Sequence, residues 1–423
     1  MSWAGRPLRV LAVTHVFPRH VDDAAAPFLL RHLQNVAAAG IHVRVVAPHD
    51  AGLPARHVIG GLEVVRARYG SDDEETLAYR GEMHHLVRTP AGAANAVRLL
   101  AALRKAVAEE VERFTPDAID VHWAVPSGFV VAGGRYRVAG RRVPFQVNVH
   151  GTDAALLAGS AATRQLARWI LGRADAVTAM SEPLAAELTS LGHAPDHVTP
   201  MPPRLPPDSE PIGPAPADGP IVAIGRLVPE KGHLDLLEAL AGVDDAPPLV
   251  LVGEGPSAAE IVERADVLGV QLDLRAAVPP AELDHVYRSA RLVVVPSHRE
   301  GFGLVAAEAL AWRRPVVAAR VGGLQAIVID EANTQADLGT GAVAKADTGQ
   351  VPGGPTGWLH TPRDVTDLRR AIQAALAAPT EADARAARGR EHVLANWSPA
   401  ALGATTAERL YALTAPVTGP TPT

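Results

Sequence analysis

Glu300 and Glu308 stand eight positions apart in the segment SHREGFGLVAAEALAWRRP, on either side of a glycine-containing turn. At a helical rise of 1.5 Å per residue, that spacing separates the two carboxylates by roughly 12 Å along an axis. The span suits a ligand reaching from a sugar ring, past a diphosphate, to a ribose. A carboxylate can accept two hydrogen bonds from the neighbouring hydroxyls of a vicinal diol. Between the two acids, Gly301, Phe302, Gly303, Leu304 and Val305 offer main-chain amides at an expected helix start, where an anion is favoured. Glycine there allows a ligand close to the main chain. The plain alternative is a helix start with Glu300 as a dipole partner and Glu308 as a surface charge. The flanking residues Ala306, Ala307, Ala309, Leu310 and Ala311 are a poor setting for a surface charge.

A second cluster lies upstream, in IVAIGRLVPEKGHLDLLEAL. A buried strand is expected to end at Gly225, Arg226 and Lys231 occupy the turn, and a helix begins near Gly232. Two cations beside a helix N-terminus at the mouth of a sheet suit an anionic group. An ordinary solvated turn would look the same, so this fragment alone leaves both readings open. A third candidate, His150, sits at a strand end in His150-Gly151-Thr152-Asp153. A lone histidine in such a place is more often structural.

The elements that must position these residues follow a repeating pattern. In the first half, residues 8–13, 42–47, 62–66, 118–122, 145–150 and 175–180 read as strands, with helical patterns at 28–40 and 96–114 between some of them. Apolar runs without strict alternation suit strands buried on both faces of a parallel sheet. Gly40 follows the first helix as a cap. The proline-rich stretch 201–220 cannot continue a helix or a central strand and reads as a stiff connector. The rhythm then restarts with strands at 221–225, 249–253, 272–275, 292–296 and 315–319. The expected fold class is α/β, with two doubly wound parallel-sheet domains. They divide as 1–205, a linker at 206–220, and 221–400, followed by a helix at 401–415 that packs back on the first domain. Residues 331–356 read as a polar, mobile loop and 416–423 as a disordered tail. Open sheets bind ligands outside the carboxyl ends of their strands, so two such domains could grip one ligand in a cleft.

Composition excludes other classes. The 423 residues are 48% apolar and 20% charged, which fits a folded globular chain. A net charge of −6 and an aromatic content of 4% argue against nucleic-acid binding. There is no cysteine, so thiolate catalysis and cysteine-based metal sites are absent. No stretch has the length and apolarity of a membrane span, and Leu8–Val13 is too short for a signal sequence. A cytoplasmic protein without integral membrane contact is expected.

Taken together, these motifs resemble those of retaining glycosyltransferases of family 4, which have the GT-B fold. The E-x7-E motif of that family stands here as Glu300 to Glu308, and its G-R-x4-K-G motif as Gly225-Arg226 to Lys231-Gly232. Supporting segments are VGEGP (252–256), VPPAELDHVYRSARLVVVPS (278–297), VNVHGTD (147–153), ADAVTAMSEPLAAEL (174–188) and VGG (321–323). The resemblance implies that Arg226 and Lys231 bind the donor diphosphate, with Gly225 beside them. Glu308 would hold the ribose and Glu300 the donor sugar. The main chain of Gly301–Val305 would contact sugar and phosphate, and that near Val278 the base. His150 would lie across the cleft beside the scissile bond, with Asp153 a weaker candidate.

The family relation also implies a nucleotide-diphosphate sugar as co-substrate, UDP-sugar before GDP-mannose. Retention of anomeric configuration goes with it, and no metal or other cofactor. No Asp-x-Asp triplet occurs in the chain, which agrees with metal independence. The acceptor would be a hydroxyl-bearing natural product or cell-envelope precursor, with residues 70–98 as a candidate rim or simply a solvated loop.

Several positions depart from the family pattern. The first loop, Phe17 to Phe28, has no glycine, so an alanine there is expected to keep φ negative. Gln325-Ala326 replaces a common Pro-Glu, Ala276 a common Gly, and the insertion after Asp330 is long. A nucleotide-sugar-binding module without transfer activity is the alternative function. A dehydrogenase would need a third glycine after Gly253-Glu-Gly255.

Overall fold

A computed structural model describes residues 6–79, 83–87, 89–151, 159–332 and 353–415. Asp153, most of the 331–356 loop and the 416–423 tail therefore lie outside the described residues. The chain divides into two compact units. One comprises residues 1–180, 185–200 and 399–423, the other residues 181–184 and 201–398.

The first unit is built on β1 (Arg9–Val13), β2 (His42–Pro48), β3 (Arg56–Ile59), β4 (Leu62–Ala67), β5 (Ala118–His122), β8 (Phe145–Val149), β9 (Ala176–Ala179) and β10 (His197–Val198). A small hairpin, β6 (Arg137–Val138) and β7 (Arg141–Arg142), stands apart from them. The main sheet has the order β10-β9-β8-β5-β1-β2-β4-β3, parallel except for the antiparallel edge strand β3. β3 escapes a reading of the sequence because only Ile59 of its four residues is buried.

Helix α1 (Pro27–Ala38) opens with proline, whose fixed φ suits a first turn, and buries Leu29, Leu30, His32, Leu33 and Val36. Helix α2 (Pro90–Phe114) starts six residues before the expected 96, because Thr89 caps it by accepting from the Gly92 amide at 3.0 Å. The sequence suggests an ordinary surface helix for its Glu109-Glu110-Glu112 run. Within that run Glu110 is buried and pairs with Arg44 and Arg56.

The second unit carries a wholly parallel sheet of β11 (Ile221–Ile224), β12 (Leu249–Val252), β13 (Leu272–Arg275), β14 (Leu292–Val295), β15 (Val316–Ala319) and β16 (Trp358–His360). Its helices are α3 (His233–Leu240), α4 (Ala258–Leu268), α5 (Pro280–Ser289), α6 (Leu304–Ala311), α7 (Val365–Ala377) and α8 (Pro379–Asn396). The proline-rich stretch belongs to this unit, where Arg314 donates to the Gly213 carbonyl. The core gathers Ile221, Leu236, Leu249, Leu292, Val317 and Ile372 around the sheet.

Helix α9 (Pro399–Thr414) belongs to the first unit and packs on α1. Gly403 permits this, since a Cβ there would come within 2.6 Å of the Asn35 carbonyl oxygen. Ala407 and Leu410 join the core formed by Leu8, Val10, Leu29 and Leu33.

Candidate donor site at the strand-order reversal

The second sheet runs β13-β12-β11-β14-β15-β16, so its order reverses between β11 and β14. At such a reversal the connections leave the two neighbouring strands in opposite directions, which opens a crevice beyond their carboxyl ends. The turns that follow β11 and β14 carry both motifs. After β11 come Gly225, the exposed Arg226 and a single 3-10 turn, Pro229–Lys231. After β14 come Ser297, Glu300 and the start of α6.

The two turns are fastened together. The His298 amide donates to the Glu230 carbonyl at 2.8 Å, and His298 Nε2 lies 2.7 Å from Asp235. Gly232 sits between them at φ +67°, where a Cβ would come within 2.1 Å of the Pro296 carbonyl oxygen. Only glycine fits both the left-handed backbone and that approach. Across this junction Lys231 Nζ donates to Glu300 Oε2 at 2.7 Å, and Ser297 Oγ reaches the same oxygen at 3.3 Å. Burial lowers the pKa of His233 to about 4, so its ring is neutral. With the Arg226 carbonyl 3.3 Å from its Nε2, that nitrogen carries the proton and holds the Arg226 main chain in place.

The spacing of the two acids does not follow a helical rise. Residues 300–303 form a turn and α6 begins only at Leu304, with Gly303 as its N-cap at φ +106°. The 12 Å estimate assumed helix throughout and does not apply. No side chain caps α6, which leaves its first-turn amides available to an anion. Phe302 is buried edge-on against Trp397, with centroids 5.7 Å apart, so only its main chain could meet a ligand. Val278, half-buried, lies in the otherwise exposed stretch before α5.

Glu308 is 6% exposed, and both carboxylate oxygens are engaged. Oε1 accepts from the Arg204 amide at 2.9 Å and Oε2 from the Tyr287 hydroxyl at 3.0 Å. Arg204 is itself fixed by Asp284 at 2.9 Å. These three residues were not singled out by sequence reasoning. Arg204 hides in the proline-rich stretch and Tyr287 inside the quoted VYRSARL segment. A carboxylate offers about four lone-pair directions and can accept from several donors at once.

In the first unit His150 follows β8, is 7% exposed, and stacks on Trp123 at 4.2 Å. Its Nε2 lies 3.2 Å from His122 Nδ1. Burial, then the neighbouring His122, His32 and His15, hold its pKa well below the ordinary histidine value, so it is a neutral imidazole. In the first loop Arg19 bonds Asp23 at 2.7 Å and Asp50 at 3.0 Å. Ala26 overturns the expectation of negative φ: it caps α1 at φ 52°, ψ 47°. Ala26 thus takes a left-handed backbone directly before Pro27, without glycine. The acidic run at 72–75 is largely matched locally, Asp72 by Arg68, Glu74 by Arg98 and the buried Glu75 by His49. The side chains of His84 and His85 lie outside the described residues. Among the described residues no helix is long and apolar enough to cross a membrane.

The family described as Glycosyltransferase Family 4 matches residues 26–208, and Glycosyl transferases group 1 matches residues 209–392. A D-inositol 3-phosphate glycosyltransferase of Acidothermus cellulolyticus is 31% identical over 72% of this chain and 82% of the relative. One of the same name from Segniliparus rotundus is 46% identical, but over only 28% of this chain and 29% of its own length. A putative teichuronic acid biosynthesis glycosyltransferase of Bacillus subtilis is 26% identical over 76% of this chain and 83% of its own.

Among solved structures, sucrose-phosphate synthase from Thermosynechococcus elongatus superposes with a TM-score of 0.72 at 23% identity, covering 96% of this chain and 99% of that one. An Anabaena protein in complex with UDP and glucose gives 0.66 at 17% identity, covering 96% and 100%. The fold is GT-B, two parallel-sheet α/β domains in one chain.

Proposed function

Because this chain belongs to glycosyltransferase family 4, we propose that it moves a sugar from a nucleoside-diphosphate donor to a hydroxyl acceptor, with retention and without a metal at the diphosphate. The observation that carries the reading is the Lys231–Glu300 contact at the strand-order reversal. An ammonium has three protons. One engages Glu300, and the others are free to meet phosphate oxygens. Arg226, exposed beside it, adds a second cation.

As the bond between the anomeric carbon and the phosphate oxygen breaks, its electron pair passes to that oxygen. Lys231, Arg226 and the first-turn amides of α6 stabilise the growing charge, and positioned cations act most strongly where charge develops. The acceptor hydroxyl bonds to the anomeric carbon on the same face, and its proton goes to the departing phosphate oxygen. Glu300 holds sugar hydroxyls, Glu308 those of the ribose, and the turn at Val278 the base. His150 serves the sugar as a neutral hydrogen-bonding ring, a role supported by its motif. Asp153 is a further candidate by the same motif.

A UDP-sugar is favoured, with GDP-mannose next; the UDP and glucose in the Anabaena neighbour support the first choice. Relatives named for inositol phosphate and teichuronic acid support a polyhydroxy or cell-envelope acceptor. Calorimetry with UDP and GDP, followed by a screen of their sugars for acceptor-dependent nucleotide release, tests the proposal. Binding of one nucleotide with acceptor-dependent release of the free nucleoside diphosphate is expected. Tight binding without release for any acceptor would assign a binding module instead, and no binding at all would refute the donor site.

A further inference from the structure

Three buried side chains of the first unit, none used in the reaction above, turn their donor atoms towards one another. Asp120 and His122 are two residues apart on β5 and so share one face of the sheet. His32 reaches them from α1, its ring 5.6 Å from that of His122 and nearly perpendicular at 79°. All three are 0% exposed. One donor atom from each lies within 4.8 Å of the other two.

Neither ring nitrogen of His32 has a hydrogen-bond partner, and Asp120 Oδ2 and His122 Nε2 have none beyond each other, 3.3 Å apart. Asp120 Oδ1, by contrast, accepts from Gln146 at 2.8 Å and from Asn148 at 2.5 Å. Both donors are uncharged, and the ionisable group paired with the carboxylate is His122. Buried polar atoms are nearly always paired, and several orphans converging on one place need a common partner.

We propose that His32, Asp120 and His122 form a binding site for a zinc-type divalent cation. Two imidazoles and one carboxylate are a donor set that suits zinc, whereas magnesium and calcium prefer all-oxygen sites. A tetrahedral ion with bonds of about 2.0–2.1 Å holds its ligands roughly 3.3 Å apart. Asp120 Oδ2 and His122 Nε2 are separated by 3.3 Å. The cation supplies a fixed positive charge beside Asp120. It also fixes the far side of the ring: with Nε2 bound to metal, the His122 proton sits on Nδ1 and donates to His150 Nε2, 3.2 Å away. A second group of possible ligands, His49, Asp72 and Glu75, differs in kind. There His49 Nδ1 bonds Glu75 at 2.5 Å and Nε2 contacts the Leu53 carbonyl at 2.6 Å, so both ring nitrogens are used.

The test of this site does not use glycosyl transfer. Tag-free protein produced in zinc-supplemented medium is dialysed against metal-free buffer and its metal content measured by mass spectrometry. About one equivalent of zinc per chain is expected, and a cobalt-loaded sample should show the intense visible bands of a tetrahedral ion. His32→Phe, which fills the ring's place without a donor, should lower the bound metal at least tenfold, while His49→Phe should not. If His32→Phe fails to fold, the wild-type stoichiometry and cobalt spectrum decide the matter. Wild-type protein with less than a tenth of an equivalent, cobalt without tetrahedral bands, or metal retained in folded His32→Phe overturns the proposal.

Discussion

Lys231 and Glu300 hold each other where the donor diphosphate and sugar are proposed to meet. Lys231→Ala takes away a charge that acts most strongly as the leaving group forms, and turnover should fall by about 10²–10³. Steady-state nucleotide release measures this, and near-wild-type turnover would refute the role. Tyr287→Phe tests the buried acid instead. It removes one donor from Glu308 Oε2 and should lower stability by about 1–3 kcal/mol, seen in denaturant unfolding, because a buried carboxylate loses a partner. The type and spacing of Glu300, Glu308, Arg226 and Lys231 were legible in the chain. Arg204 and Tyr287 were not, because their contacts with Glu308 join residues 104 and 21 positions apart, and nothing local marks such a pair.

At the scale of elements, the two turns and the first loop show opposite uses of left-handed backbone. Gly232 is required, since an added Cβ would lie 2.1 Å from the Pro296 oxygen. Gly232→Ala should cost at least about 2 kcal/mol and loosen the junction between the turns. Ala26 at φ 52° is tolerated without being required. Ala26→Gly should relieve that strain and raise stability by about 0.5 kcal/mol, the small net of strain relief against added chain entropy.

The same loop responds to acid. Burial would raise the Asp23 pKa, but the hydrogen bonds from Arg19 and Ala25 outweigh it and hold the carboxyl below its ordinary value of 3.8. Its folded pKa is therefore the lower one, so its stabilisation is complete above 3.8 and disappears as pH falls through the folded value. Hydrogen exchange in residues 19–25 should accelerate in that acid range, and Asp23→Asn should remove the dependence. The interior strands were legible because apolar runs betray burial on both faces. β3 and the three-residue β16 were not, since an exposed edge and a very short run carry little pattern.

For the whole molecule, the two sheets have separate cores, and the two motifs of the donor site both belong to the second. If Arg226 and Lys231 neutralise the diphosphate without help, added Mg²⁺ or Mn²⁺ should leave turnover unchanged; a several-fold rise would contradict that design. Removing α9 should mark the division differently. Ala407 and Leu410 belong to the first unit's core, so a chain ending at 398 should melt earlier in that unit. Calorimetry and exchange at residues 27–38 would show the loss, with nucleotide affinity in the second unit retained.

That arrangement also governs how the chain can be made. α1 leaves the ribosome long before α9, and at about 5–20 residues per second the interval between them is roughly 20–70 s. Throughout it the outer flank of α1 waits uncovered while an entire further lobe is translated. The first unit's core is thus closed only after the whole second unit has been synthesised.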